Sequence, residues 1–202
     1  MLASIYNKEC LLEAGCDEAG RGCLAGSVFA AAVIFPPDYS NSELNDSKQL
    51  TARKRYALRD IICRDALAWA VASVEPEEID RINILNASIL AMHRALDRLT
   101  LRPGFIIVDG NRFKPYGDVP HCTIVKGDGK YLSIAAASIL AKTCRDDYML
   151  RLHEQYPWYG WDRNAGYPTK LHREGILSHG LTPYHRGSFG GLGEAQLPFA
   201  EE

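Results

Sequence analysis

The chain has no apolar run of 18 residues, so no stretch is long enough to cross a membrane as a helix. Its opening segment carries Lys8, Glu9 and Glu13 and no continuous apolar stretch, so a secretory signal peptide is not expected. Among the six cysteines there is no CxxC pair and no framework spacing. They read as the reduced thiols of a cytoplasmic protein, not as a disulfide framework or a zinc site. Neither sign of charge is in excess: 23 Lys and Arg against 25 Asp and Glu leave −2, which neither favours nor excludes nucleic acid. Internal repeats and low-complexity tracts are absent, which excludes a solenoid. What is present, 202 residues with 47% apolar and 24% charged content, suits one sizeable core with a small appendage.

The basic residues are unevenly placed. Lys48, Arg53, Lys54, Arg55, Arg59 and Arg64 fall in one segment, and Arg163, Lys170, His172, Arg173, His179, His185 and Arg186 in another. Each group alone reads as a solvated helix face; together, in a chain of net negative charge, they suggest a footprint for phosphates. In chain order, strands are expected over residues 14–19, 26–35, 67–74, 105–108 and 122–125. Thr51 is placed to cap a basic helix running to Arg64, and Pro76 to open a short helical turn. Leu85, Ile89, Met92, Leu96 and Leu99 have the spacing of a helix packed on a core. A long helix is expected over residues 131–156, its run Ala135-Ala136-Ala137-Ser138 small enough to lie close on a sheet. A last helix over 169–179 stops at Gly180, and a loose tail follows Gly190. This is an α/β chain, a mixed sheet flanked by helices with a C-terminal helical extension.

The stretch Gly15-Cys16-Asp17-Glu18-Ala19-Gly20-Arg21-Gly22 carries the chemistry. Two adjacent acids at the edge of a core strand incur desolvation and mutual repulsion, which is usually tolerated for metal binding or catalysis. Two further strands lead to Asp109 and Asp128. Strand neighbours lie about 5 Å apart, so carboxylates at their ends can converge, and four of them need a counter-charge. All-oxygen donors suit Mg²⁺ or Mn²⁺ over zinc. Side chains alternate along a strand, so Asp17 and Glu18 reach one centre only if the strand ends or bulges there; unequal roles follow, with Asp17 central.

The motif Asp17-Glu18-Ala19-Gly20-Arg21-Gly22 resembles the N-terminal signature of type 2 ribonuclease H, the ribonuclease HII family. Matches continue in order through Asp46-Ser47-Lys48-Gln49-Leu50, Val108-Asp109-Gly110, Lys126-Gly127-Asp128, Ala136 to Lys142, Arg145-Asp146, Gly166-Tyr167-Pro168-Thr169 and His185-Arg186-Gly187-Ser188-Phe189. The resemblance implies an RNase H-like fold, with residues 1–156 as the catalytic domain and 157–202 as a helical extension and tail of the same compact unit. It implies metal-dependent endonucleolytic hydrolysis of RNA in RNA–DNA hybrids and nicking at ribonucleotides embedded in duplex DNA, leaving 5′-phosphate and 3′-hydroxyl ends. The metal-binding and catalytic acids map onto Asp17, Glu18, Asp109 and Asp128, with two Mg²⁺ or Mn²⁺ ions in the presence of substrate. Gly20, Arg21 and Gly22, with Tyr167, map onto the reader of the ribonucleotide, and Lys48 is a phosphate-contact candidate. A monomer is expected.

The chain departs from the family pattern in places. Cys23 and Ser27 stand where the family commonly has proline, and Gly187 where it often has a second basic residue. Lys142, Arg145 and Asp146 are expected to support the sheet and pair locally, while His185-Arg186 fits either duplex contact or anchoring of the tail. Two other classes stay open from the residues alone. A hybrid-binding scaffold without catalysis predicts a lost acid, and none is missing. Another Mg²⁺ phosphoryl-transfer enzyme fits the carboxylates equally, since they specify chemistry and not substrate.

Overall fold

The computed structural model describes residues 2–44 and 47–190, apart from the side chain of Lys48. Asp46, the Lys48 side chain and the expected tail after Gly190 therefore lie outside the described residues.

Strand β1 (Glu13–Ala19) is the middle of a five-stranded sheet. β2 (Val28–Ile34) pairs antiparallel on one side of it and β3 (Ala68–Val74) continues beyond. On the other side β4 (Phe105–Asp109) pairs parallel with β1, and β5 (His121–Ile124) parallel with β4. The order is β3-β2-β1-β4-β5. β2 and β4 are buried on both faces and read as near-continuous apolar runs, whereas β3, at the edge, alternates buried Ala68, Ala70, Ala72 and Val74 with more exposed residues.

The two faces are covered differently. Val28, Ala30, Ala32 and Ile34 of β2, with Ile106 and Val108 of β4, pack on α2 (Pro76–Ile82) and α3 (Ile84–Asp97). Ala31 and Val33 point the other way, into a cluster with Leu58 and Ile62 of α1 (Ala52–Asp65) and the small first half of α4 (Leu132–Gln155). The expected close approach of that half is realised at Gly15. A Cβ there would sit 2.5 Å from the backbone nitrogen of Ile134, so only glycine lets α4 lie on the central strand.

Beyond the sheet, the second half of α4 carries the C-terminal part. Met149 and Leu152 share a cluster with Leu24, Ala25, Tyr159, Ile176, Leu181 and Trp161, the last of these on the short α5 (Trp161–Asn164). α6 (Lys170–His179) begins at Thr169, whose side chain accepts the His172 N–H, and ends at Gly180 with φ of 76°. Thr51 caps α1 in the same way by accepting the Lys54 N–H.

The expected stripe on α3 is only partly right. Ile89, Met92 and Leu96 are buried, but Leu85 is exposed and Leu99 lies past the helix end. The packing face is completed by Ala87, Ala91 and Ala95; alanines let the helix lie close to the sheet and carry no signal in a pattern of large apolar residues. The strand expected over 122–125 runs one residue earlier, and Val125 is exposed.

Candidate active site

Parallel pairing of β1 with β4 is what brings the first acids together. Cys16 pairs with Val108, so the next residues, Asp17 and Asp109, emerge side by side at the same end of the sheet. Asp17 is buried. Its Oδ1 accepts the N–H of Glu18 at 2.7 Å, and its carboxylate is bonded by the hydroxyl of Ser138 on α4. Ser138 is in turn 2.9 Å from the Ser47 hydroxyl, and Arg55 of α1 donates to the carbonyls of Ser47 and Leu50. The central helix and the loop before α1 are thus tied to the same acid.

The alternation of β1 settles the direction of Glu18. Cys16 packs on the α3 face, so Asp17 faces α4 and Glu18 faces α3. Both still line one cavity of about 320 Å³, because the strand ends at Ala19. That is room for far more than one ion, a water occupying about 30 Å³. Asp109 lines it too, and with Glu18 it also lines a smaller cleft on the α3 side. The adjacent acids therefore leave the strand on opposite faces.

Burial pushes the Asp17 carboxyl well above the usual carboxylate range, and Glu18 and Asp109 push it further; the bonds from Ser138 and the Glu18 N–H oppose this. Glu18 is raised by burial as well, against the Arg21 guanidinium 3.1 Å away. Such loading is the mark of a site short of positive charge. The donor set, three carboxylates without imidazole or thiolate at the cavity, fits a hard divalent cation. No group of three His, Cys, Asp or Glu among the described residues is already drawn together as a metal cluster.

Asp128 stands apart. It does not emerge from a strand but lies on a 3-10 turn, Gly127–Gly129, after β5. It is buried, yet it is not among the residues lining the cavity. The turn is fixed to the site all the same: Asp109 Oδ1 accepts the Gly127 N–H at 2.7 Å. Lys126 before it takes a left-handed φ of 57°, a conformation that costs a non-glycine residue about 1 kcal/mol.

The reader candidates gather at the same cavity. Gly20, Arg21, Gly22 and Tyr167 line the cavity. Gly20, with φ of 94°, lies where a Cβ would overlap the Arg145 side chain, so its first role is to let that arginine pass. The Tyr167 ring approaches Gly22, 3.8 Å from where a Cβ would stand. Lys142 pairs with Asp146 at 2.6 Å, as expected of a local ion pair, whereas Arg145 is buried and bonds main-chain carbonyls. Arg186 is fully buried, so of the two roles open to it, duplex contact is excluded. The sequence reading missed Ser47 and Ser138 as parts of the cavity, although both lie within matched motifs, and had Arg55 only as one of a basic group.

Comparison with known proteins fits this geometry. The model of the family described as Ribonuclease HII matches residues 14–191. The chain belongs to the ribonuclease HII family. It is 68% identical over 197 residues to the ribonuclease HII of Bacteroides thetaiotaomicron, covering 98% of each chain. Among solved structures it resembles the ribonuclease H2 of Pyrococcus horikoshii OT3 with a TM-score of 0.76 and 26% identity, over 89% of this chain and 94% of that one. The ribonuclease HII in the PCNA complex from Archaeoglobus fulgidus gives 0.74 and 27%, over 88% and 94%. The mixed sheet with flanking helices is thus the RNase H-like fold expected, and the protein is a nuclease of the ribonuclease H type. Among the described residues all six cysteines are free, and no helix is long and apolar enough to cross a membrane.

Proposed function

We propose that the protein is a divalent-metal-dependent endonuclease. It hydrolyses the RNA strand of RNA–DNA hybrids and nicks duplex DNA at single embedded ribonucleotides, leaving 5′-phosphate and 3′-hydroxyl ends. The observation that carries this reading is the buried Asp17, loaded by Glu18 and Asp109, lining one cavity with Gly22 and Tyr167. Asp17, Glu18, Asp109 and Asp128 would hold Mg²⁺ or Mn²⁺, two ions with substrate. Bound there, the ions supply activation of a water and stabilisation of the leaving 3′-oxygen in an in-line displacement.

The chain's own residues do the rest. Ser138 and the Glu18 N–H hold the Asp17 carboxylate in one orientation, and Asp109 fixes the turn that carries Asp128. Arg21, exposed and paired with Glu18, opposes the upward push that burial puts on that carboxyl. Gly22 and Tyr167 form the wall against which a ribose is read, the 2′-hydroxyl being the group that separates RNA from DNA. Lys48 serves a phosphate. Residues 157–202 act as an extension of the catalytic unit 1–156, and the enzyme works as a cytoplasmic monomer.

The test is cleavage of duplex DNA containing one ribonucleotide, with Mg²⁺ or Mn²⁺; native, folded protein that leaves it intact overturns the reading. Asp17→Asn is expected to abolish nicking while raising the melting temperature in chelator, since it removes a buried charge held against two others. A lower melting temperature would make Asp17 a structural residue.

A further inference from the structure

The loop between β1 and β2 is held from behind by two buried arginines from distant parts of the chain. Arg145 on α4 donates to the carbonyls of Ala25 and Ser27, both at 3.2 Å, and to Ala165 at 2.8 Å. Arg186 donates through Nε and Nη2 to Gly26 at 2.9 and 2.7 Å, and through Nη1 to Arg21 at 3.0 Å, while its own N–H takes the Leu24 carbonyl. No carboxylate among the described residues pairs with either guanidinium. Burial, with Arg145 close by, pushes Arg186 down to about 10, still charged at neutral pH. Two like charges buried side by side are expensive; main-chain carbonyls answer both, and the Phe189 ring lies 5.0 Å from the Arg186 guanidinium carbon.

The Arg21 carbonyl is the informative one. In a trans peptide the C=O and the following N–H point in opposite directions. Holding the Arg21 oxygen on Arg186 therefore turns the Gly22 N–H away from the buried side. Gly22 lines the acidic cavity, and no backbone carbonyl among the described residues takes its N–H. We propose that Arg186 is a positioning residue for ribose recognition: it aims the Gly22 N–H into the cavity as the donor that meets the ribonucleotide, although it never touches substrate itself. This rests on the ribonuclease reading above and deepens it.

The test separates aim from stability. Binding is measured in chelator, so that nothing is cut, to a duplex with one ribonucleotide and to the same duplex in all-deoxy form. A variant that merely loses folded protein weakens both equally and leaves their ratio unchanged. Arg186→Gln is expected to bring the ratio several-fold closer to one, with Arg186→Lys, which keeps the charge and one or two donors, in between. An unchanged ratio in folded Arg186→Gln overturns the proposal. Should that variant not fold, the native protein decides. The Gly22 amide resonance is expected to shift more with the ribonucleotide duplex than with the all-deoxy one, and equal shifts overturn it. Failure of the underlying reading is a separate result: native protein that nicks neither hybrid nor ribonucleotide duplex.

Discussion

Two histidines show how much of the site is built from residues that never reach it. His172 and His185 are both buried, with Nε2 atoms 3.2 Å apart. The Trp161 indole donates to His172 Nε2 at 3.0 Å, so this nitrogen is an acceptor, and His172 Nδ1–H donates to the Tyr167 carbonyl at 3.0 Å. His185 Nδ1 accepts the Thr182 N–H at 2.9 Å, which puts its proton on Nε2, donated to His172. Every proton is assigned, both rings are neutral, and the chain of bonds ends on the backbone of Tyr167. Adding a proton to either ring breaks it. Burial, then the neighbouring His172, pushes His185 down to about 3, against about 6.5 in the unfolded chain. The unfolded state therefore takes the proton first as pH falls. Stability from this pair is complete above about pH 6.5 and is lost progressively toward pH 3, by about 2–3 kcal/mol at about pH 4.5. Ring ¹⁵N spectra should show His185 as the neutral Nε2–H form at about pH 5; a titration midpoint near 6 would refute the assignment. From sequence, His185 and Arg186 sat in a basic cluster and fitted either duplex contact or anchoring of the tail. Nothing in residue type distinguishes a buried, neutral histidine from an exposed one, because the difference lies in what the C-terminal segment packs against.

At the scale of elements, the sequence was most legible where one residue decides the backbone. Thr51, Thr169 and Gly180 each mark a helix end that the structure realises, since a hydroxyl at an N-cap and a glycine past a C-terminus act locally. Legibility failed where the outcome depends on distant packing, as with Leu85 on α3 or with Asp128, expected at a strand end and found on a turn. The contact of α4 with β1 belongs to this scale, because the helix brings Ser138 to Asp17. Gly15→Ala forces the two backbones apart, and overpacking of this kind costs about 1–3 kcal/mol. Each 1 kcal/mol lowers the melting temperature of a chain this long by about 2–4 °C. Nicking is expected to fall more than the loss of folded protein explains, because the Ser138 hydroxyl moves with the helix. Activity scaling only with the folded fraction would show that Asp17 is held without it.

Over the whole molecule, a net charge of −2 conceals a separation of sign. Acids converge at the end of β1 and β4, while Arg55 and Lys142 line the same cavity. A neighbouring cleft carries these two on to Arg163, with Asp146 and Asp162 paired to Lys142 and Arg163 along it. Arg53 and Lys54 are exposed at the start of α1, next to that path. The uneven spacing of basic residues was visible in the chain; that α1 lies beside the cavity was not, since it depends on the loop around Ser47 being tied to Ser138 and Arg55. A nucleic-acid strand crossing the acids would have its neighbouring phosphates neutralised along this path, with release of counterions. Each B-DNA phosphate so neutralised steepens the dependence of log K on log salt by about 0.9. Replacing Arg53 and Lys54 by alanine should therefore flatten the slope for a ribonucleotide-containing duplex by about 1.8. Discrimination between that duplex and its all-deoxy counterpart should not change, because phosphate contacts position the strand and do not read the sugar. A slope equal to that of the native protein would mean that the duplex leaves the cavity by another face.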